Sequence, residues 1–196
     1  MIKKKTTKSK KLKYERSYKF ETRVERVLDL LRKTHISTKE NCIKYSEDMN
    51  KCVSDNRFNV LVKLKYIKKV KVVDKVTKEV HEGYKLLDRG KTYIKDNFDN
   101  ALIYSSNSQI HDLKQSNFLF EHYTNNEIDT YKHEKELENL YVTNRNTSRP
   151  DGCLICSDTQ ETVYIETITP NYSKNKIDRK LSYCLTQNAK YHLNII

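Results

Sequence analysis

Residues 148–172 read SRPDGCLICSDTQETVYIETITPNY, and the folding of this stretch decides what the rest of the chain can build. Two short apolar runs, CLIC (153–156) and TVYIETI (162–168), are separated by the polar residues SDTQE. Their β-branched content predicts adjacent strands. Alternation along the second run places Tyr164, Glu166 and Ile168 on one face and Val163, Ile165 and Thr167 on the other. Asp151, behind the Arg149-Pro150 pair, then stands at the mouth of the first strand and Glu166 within the second. Two carboxylates on neighbouring strands suit Mg²⁺ or Mn²⁺, hard ions that prefer oxygen ligands.

The flanking segments complete a layered unit. Upstream, SSNSQIHDLKQSNFLFEHY (105–123) predicts a loop entering a helix that buries Leu113, Phe118, Leu119 and Tyr123. DTYKHEKELENLYV (129–142) is read as a short helix or an irregular connection, and LYVTNR (140–145) as a further strand. Downstream, KNKIDRKLSYCLTQ (174–187) predicts a helix with Ile177, Leu181 and Cys184 at helical spacing, and KYHLNII (190–196) begins a last strand. Residues 99–196 are therefore expected to form a small α/β sandwich.

The first half has another rhythm. Phe20, Val24, Val27, Leu28 and Leu31 repeat at helical spacing, predicting a helix over 19–34. STKE (37–40) reads as a capping box opening a second helix, with Ser37 as N-cap and Glu40 as its reciprocal partner. Ser54 and Asp55 cap a third helix, whose core face is Phe58, Leu61, Val62 and the stem of Lys65. YIKKVKVV (66–73), the polar turn DKVTKE (74–79) and VHEGYKLLD (80–88) predict a hairpin, and GYKLLDRGKTYIKDNF (83–98) runs its second strand into a closing helix.

Charge points to an anionic partner. The chain of 196 residues carries +12 net charge, and its first twenty residues hold eight Lys and one Arg against one Glu. Residues 1–17 are expected to be a basic, disordered arm binding phosphates without sequence preference. A second basic run from Arg57 to Lys71 lies beside the third helix and hairpin. Apolar runs far shorter than a bilayer span predict a cytoplasmic protein with no membrane partner. Five cysteines in such a chain do not suggest a disulfide framework, and Cys153 and Cys156 read as small buried strand residues rather than zinc ligands.

Three helices followed by a two-stranded wing and a closing helix resemble the winged helix-turn-helix family across residues 18–98. The resemblance implies that the third helix enters the DNA major groove, directing Asn56, Arg57, Asn59 and Lys63 at DNA. It places Lys68, Lys69, Lys71 and Lys75 on phosphates. Pro150-Asp151 and Ile165-Glu166 resemble the PD-(D/E)xK nuclease superfamily across 99–196. That family carries Lys two residues after the strand glutamate, where this chain has Ile168; Lys174, Lys176 or Lys180 of the following helix could supply it.

The ordered set of a winged helix, His111-Asp112-Leu113, RPDG (149–152), YIET (164–167) and RKLSY (179–183) resembles the replication-relaxation family of plasmid and conjugative-element proteins, related to MobC-type relaxases. That resemblance implies His111, Asp151, Glu166 and Lys180 as site residues, with Asp151 and Glu166 on the metal. The expectation is an α+β protein, an N-terminal winged helix-turn-helix followed by a small α/β restriction-endonuclease-like (PD-(D/E)xK) domain. Its expected role is a metal-dependent endonuclease or relaxase in plasmid mobilisation or replication. DNA is the expected partner, alongside a homodimer mate or other mobile-element proteins. The alternative is a non-catalytic winged-helix regulator or accessory factor with a degenerate nuclease fold.

Overall fold

The computed structural model of the chain describes residues 20–138, 148–156, 158–170, 172–187 and 189–195. The basic arm of residues 1–17 and the LYVTNR run lie outside them. The described elements form a mixed α+β structure with two sheets.

The first half runs α1 (Thr22–Thr34), α2 (Lys39–Tyr45), α3 (Asp55–Lys63), β1 (Ile67–Val73), β2 (Val80–Leu86) and α4 (Asp88–Asn97). β1 and β2 pair antiparallel from Ile67↔Leu86 to Val73↔Val80. Asp74 organises the turn between them. Its Oδ1 accepts from the Val76 and Thr77 amides at 2.8 and 3.3 Å, a side-chain mimic of a backbone turn. Ser54 caps α3 as expected, accepting from the Arg57 amide.

The second helix begins one residue later than the sequence suggested. Thr38, not Ser37, is its N-cap and accepts from the Asn41 amide at 3.1 Å. Ser37 is extended and exchanges backbone hydrogen bonds with Tyr84 of β2, while its hydroxyl bonds Ser116 at 2.7 Å. A tertiary strand contact takes this residue away from the local cap. Lys65 also departs from expectation. It is exposed and has φ 62°, following Leu64, the last residue of the α3 turn. The left-handed residue after a helix ends it rather than packing its stem.

The second half runs α5 (Gln109–His122), α6 (Asn125–Asp129), β3 (Lys132–His133), α7 (Glu134–Glu138), β4 (Gly152–Ile155), β5 (Thr162–Ile168), α8 (Lys174–Thr186) and β6 (Lys190–Ile195). The sheet order is β3-β4-β5-β6. β4 and β5 are antiparallel; β5 and β6 are parallel, joined through α8. β5 is buried on both faces. Val163 and Ile165 pack into the large core, whereas Tyr164 packs on Tyr183 of α8. The buried side of α8 is Lys180, Tyr183 and Cys184. Ile177 and Leu181 are only half-buried, so a lysine occupies the stripe that the periodicity assigned to apolar residues.

One buried apolar cluster draws on both halves of the chain. It includes Val27, Leu28, Leu31, Phe58 and Leu61 together with Phe118, Leu119, Leu154 and Ile165. Each such side chain contributes roughly 1.5–3 kcal/mol when taken from water. A polar seam lies beside it. Arg32 of α1 is 7 % exposed and reaches Asp29 at 2.8 Å, the Leu102 carbonyl at 2.9 Å and Glu136 at 2.7 Å. Among the described residues no helix is long and apolar enough to cross a membrane.

Candidate functional site

β4 and β5 bring the two carboxylates together by register. Gly152 pairs with Ile165, so the preceding residue, Asp151, falls beside Glu166. The strands then exchange side-chain contacts where the ladder ends. The Asp151 amide donates to Glu166 Oε2 at 3.0 Å, and the Thr167 amide donates to Asp151 Oδ2 at 2.8 Å. The Glu134 amide fixes the Asp151 carbonyl at 2.8 Å. Both acids are buried, Glu166 completely.

Lys180 reaches them from α8. Its Nζ lies 2.5 Å from Glu166 Oε1, 2.6 Å from Oε2 and 3.3 Å from Asp151 Oδ1. The ammonium thus sits against both oxygens of Glu166, and the Tyr172 side chain also hydrogen-bonds this carboxylate. Of the three helix lysines considered, Lys180 is the one that contacts both carboxylates. Lys174 and Lys176 are exposed; Lys176 instead lies 3.6 Å above the Tyr172 ring.

His111 enters from the first turn of α5, where Ser108 is the N-cap. Its Nε2 is 3.0 Å from Asp151 Oδ2 and its Nδ1 is 3.3 Å from Asp112 Oδ1. Asp112 has no exposed surface and also meets His35 Nδ1 at 2.6 Å and the Ser106 hydroxyl at 2.7 Å. An unbroken chain, His35–Asp112–His111–Asp151, therefore runs from the end of α1 to the carboxylate pair. His35 and Ser106 were not expected at the site, and Asp112 was marked only as part of the His111-Asp112-Leu113 motif, with no role of its own. The only local signal was the His-Asp dipeptide behind a helix cap.

Electrostatics follow this arrangement. Burial pushes the Glu166 carboxyl up to about 7, with Asp151 adding to the rise and Lys180 opposing it. Burial acts in the same direction on Asp151, but the His111 hydrogen bond and the Lys180 charge hold it below the usual carboxylate range. For His111, burial lowers the affinity for a proton, yet bonds to Asp112 and Asp151 raise it to about 10. The two carboxyls are thereby driven apart by their surroundings.

Asp151 and His111 sit at the side of a cleft of about 680 Å³. Its lining also includes Lys71 and Lys75 from the end of the hairpin, together with Tyr172 and Lys176. Lys114 of α5 binds Asp74 Oδ2 at 2.6 Å, tying the hairpin turn to the second half. Asn56, Arg57, Asn59 and Lys63 are exposed on α3, as are Lys68 and Lys69 on β1. They do not line the cleft. Arg57 pairs with Glu21 at 2.5 Å, and Lys69 with Glu82 at 2.7 Å. Cys153 is buried and Cys156 half-buried, both as free thiols.

No protein-family model, curated protein or solved structure matches the chain.

Proposed function

We propose that the chain binds DNA and cuts one of its strands at Asp151 and Glu166 with the help of Mg²⁺ or Mn²⁺, in the mobilisation or replication of a mobile genetic element. The observation that supports this most is Lys180, placed by α8 against both carboxylates. Two acids and a lysine in contact are a set that metal-assisted phosphodiester cleavage can use, and Lys180 is one of the three helix lysines that the PD-(D/E)xK resemblance left open for the role. The first half supplies the matching DNA-binding surface, with a winged-helix order of elements and exposed Asn56, Arg57, Asn59 and Lys63 on its third helix.

The donor set suits a hard ion. Among the described residues no group of three or more His, Cys, Asp or Glu side chains is gathered for a metal. Two carboxylates suffice for Mg²⁺, which keeps several waters and takes phosphate oxygens as ligands. Asp151 and Glu166 would hold it, and the bound ion would polarise a phosphoryl oxygen and acidify a water. The chain's own groups do the rest. Thr167 and Glu134 amides fix Asp151, His111 orients its carboxylate, and Lys180 offers positive charge where a phosphodiester gains negative charge. Lys71, Lys75 and Lys176 on the cleft walls attract the strand.

One observation favours a non-catalytic DNA-binding regulator or accessory factor instead: Glu166 is fully buried and already neutralised by Lys180. A nicking assay on supercoiled plasmid carrying the element's origin region decides between the two, run with Mg²⁺, Mn²⁺ or EDTA. The expected outcome is metal-dependent nicking that Asp151→Asn removes while DNA affinity stays within about twofold. Band shifts with no nick in any metal would leave the regulator reading. Joint loss of affinity and nicking in the variant would trace to folding.

A further inference from the structure

A second cleft lies at the far end of the His35–Asp112–His111–Asp151 chain. Its volume is about 370 Å³, and its lining includes Lys85 of β2, Lys91 and Lys95 of α4, and His35, over an apolar floor of Leu31 and Ile103. No acidic side chain is among its lining residues. We infer that this cleft is a phosphate-binding site, open to a phosphodiester of bound DNA or to the phosphate of a free nucleotide, and joined to the carboxylate pair through His35.

Three features carry the inference. The first is an excess of positive charge. Lys91 and Lys95 are four residues apart, on one face of α4, and Lys85 faces them from the hairpin. Burial lowers the Lys85 proton affinity, and the neighbouring Lys68 and Lys91 charges lower it further. Among the described residues, the buried Asp112 carboxylate offsets part of the repulsion at Lys85, and Asp88 meets Lys91 at 3.4 Å from a fully exposed side chain. Gathering like charges costs free energy that an anion returns.

The second feature is His35 itself. It has φ 64° and ψ −48°, and the Ile36 amide bonds the Thr34 carbonyl at 2.8 Å across it. This is the rare, strained form of γ-turn. Such a backbone persists where the surroundings hold it, and here the 2.6 Å bond to Asp112 holds the ring at the cleft. The third is size and lining. The volume falls within the range of small-ligand sites, whose walls are apolar with a few placed polar groups. An apolar floor under lysines suits a sugar or base attached to a phosphate.

The proposed DNA-binding role decides only where the phosphate comes from; the site itself stands apart from that role. The test follows the His35 ring resonances of the full chain, assigned with His35→Asn, while AMP, inorganic phosphate or a short duplex is added. The comparison protein is Lys91→Ala/Lys95→Ala, two exposed positions whose replacement leaves the core alone; its amide spectrum reports that it is folded. A saturable His35 shift that the double variant loses supports the site. If the duplex alone produces it, the ligand is a backbone phosphate, and the double variant lowers the slope of log affinity against log salt by about two. If AMP produces it with an unchanged DNA slope, the ligand is a free nucleotide. No shift with any probe, or the same shift in the double variant, overturns the inference. A chain that fails to bind DNA yet shows the AMP shift would sink the DNA reading and keep this one.

Discussion

Lys180 stands between two carboxylates that burial makes mutually repulsive, so its removal should be felt first as instability. Lys180→Ala leaves Glu166 without its cation, while His111 still holds Asp151, and breaking a buried pair in this way costs about 3–5 kcal/mol. Denaturant unfolding near neutral pH should show that loss, with a smaller loss near pH 4 where Glu166 is protonated. His111 gives a second readout. Its folded value of about 10 exceeds the ordinary 6.5, so the native state holds a proton that the unfolded chain releases. Its stabilisation is complete below about pH 6.5 and disappears as pH rises through 10. A plot of Tm against pH should therefore fall across that interval, and His111→Gln should flatten it. An equally steep fall in the variant would place the proton elsewhere. Of these site residues, the sequence exposed Asp151 and Glu166 because each sits in a short local pattern. Lys180 carried a fainter sign, a lysine three residues after Ile177 and four before Cys184 on one helical stripe. His35 and Asp112 carried almost none, since their partnership spans 77 residues and no local spacing encodes it.

At the scale of elements, the hairpin was legible because its alternation, polar turn and flanking helix are all local. The start of α2 was misread because Ser37 answers to Tyr84, far along the chain. The hairpin's attachment to the second half is equally non-local and rests on Asp74 and Lys114. The Lys114 ammonium and the turn amides hold the Asp74 carboxyl down at about 2. A depressed carboxyl stabilises above its ordinary value and loses that effect as pH falls through its folded value. Protection of the amides in residues 73–80, taken relative to their intrinsic exchange rates, should accordingly fall between pH 4 and 2, and Asp74→Asn should show low protection at every pH. Unchanged protection in the variant would mean that strand pairing alone secures the turn. The join between α4 and the turn leading into β1 is tighter still. A Cβ on Gly90 would strike the Tyr66 carbonyl, the same oxygen that accepts from the Leu87 amide at 2.9 Å. Gly90→Ala should cost about 1–3 kcal/mol in urea unfolding through overpacking; a neutral result would show that α4 can shift along its axis.

For the molecule as a whole, charge is concentrated before residue 20 and along the helix–hairpin surface. Deleting residues 1–16 should weaken DNA binding for every sequence alike and flatten its salt dependence. An unaltered salt slope would remove the segment from the interface. The α+β character and the order of elements were readable from periodicity, but the cluster uniting Leu28 and Phe58 with Phe118 and Ile165 was not, because periodicity says which residues are buried and never against what. That shared core has a geometric corollary. α1 packs into the shared cluster and Arg32 bonds across it, and these contacts would fix the spacing between the helix proposed to read bases and the acids proposed to cut. The protein would act as a ruler: the break would fall a set number of base pairs from the recognised sequence, and inserting even one pair between them would move the break along the DNA instead of being absorbed by the protein.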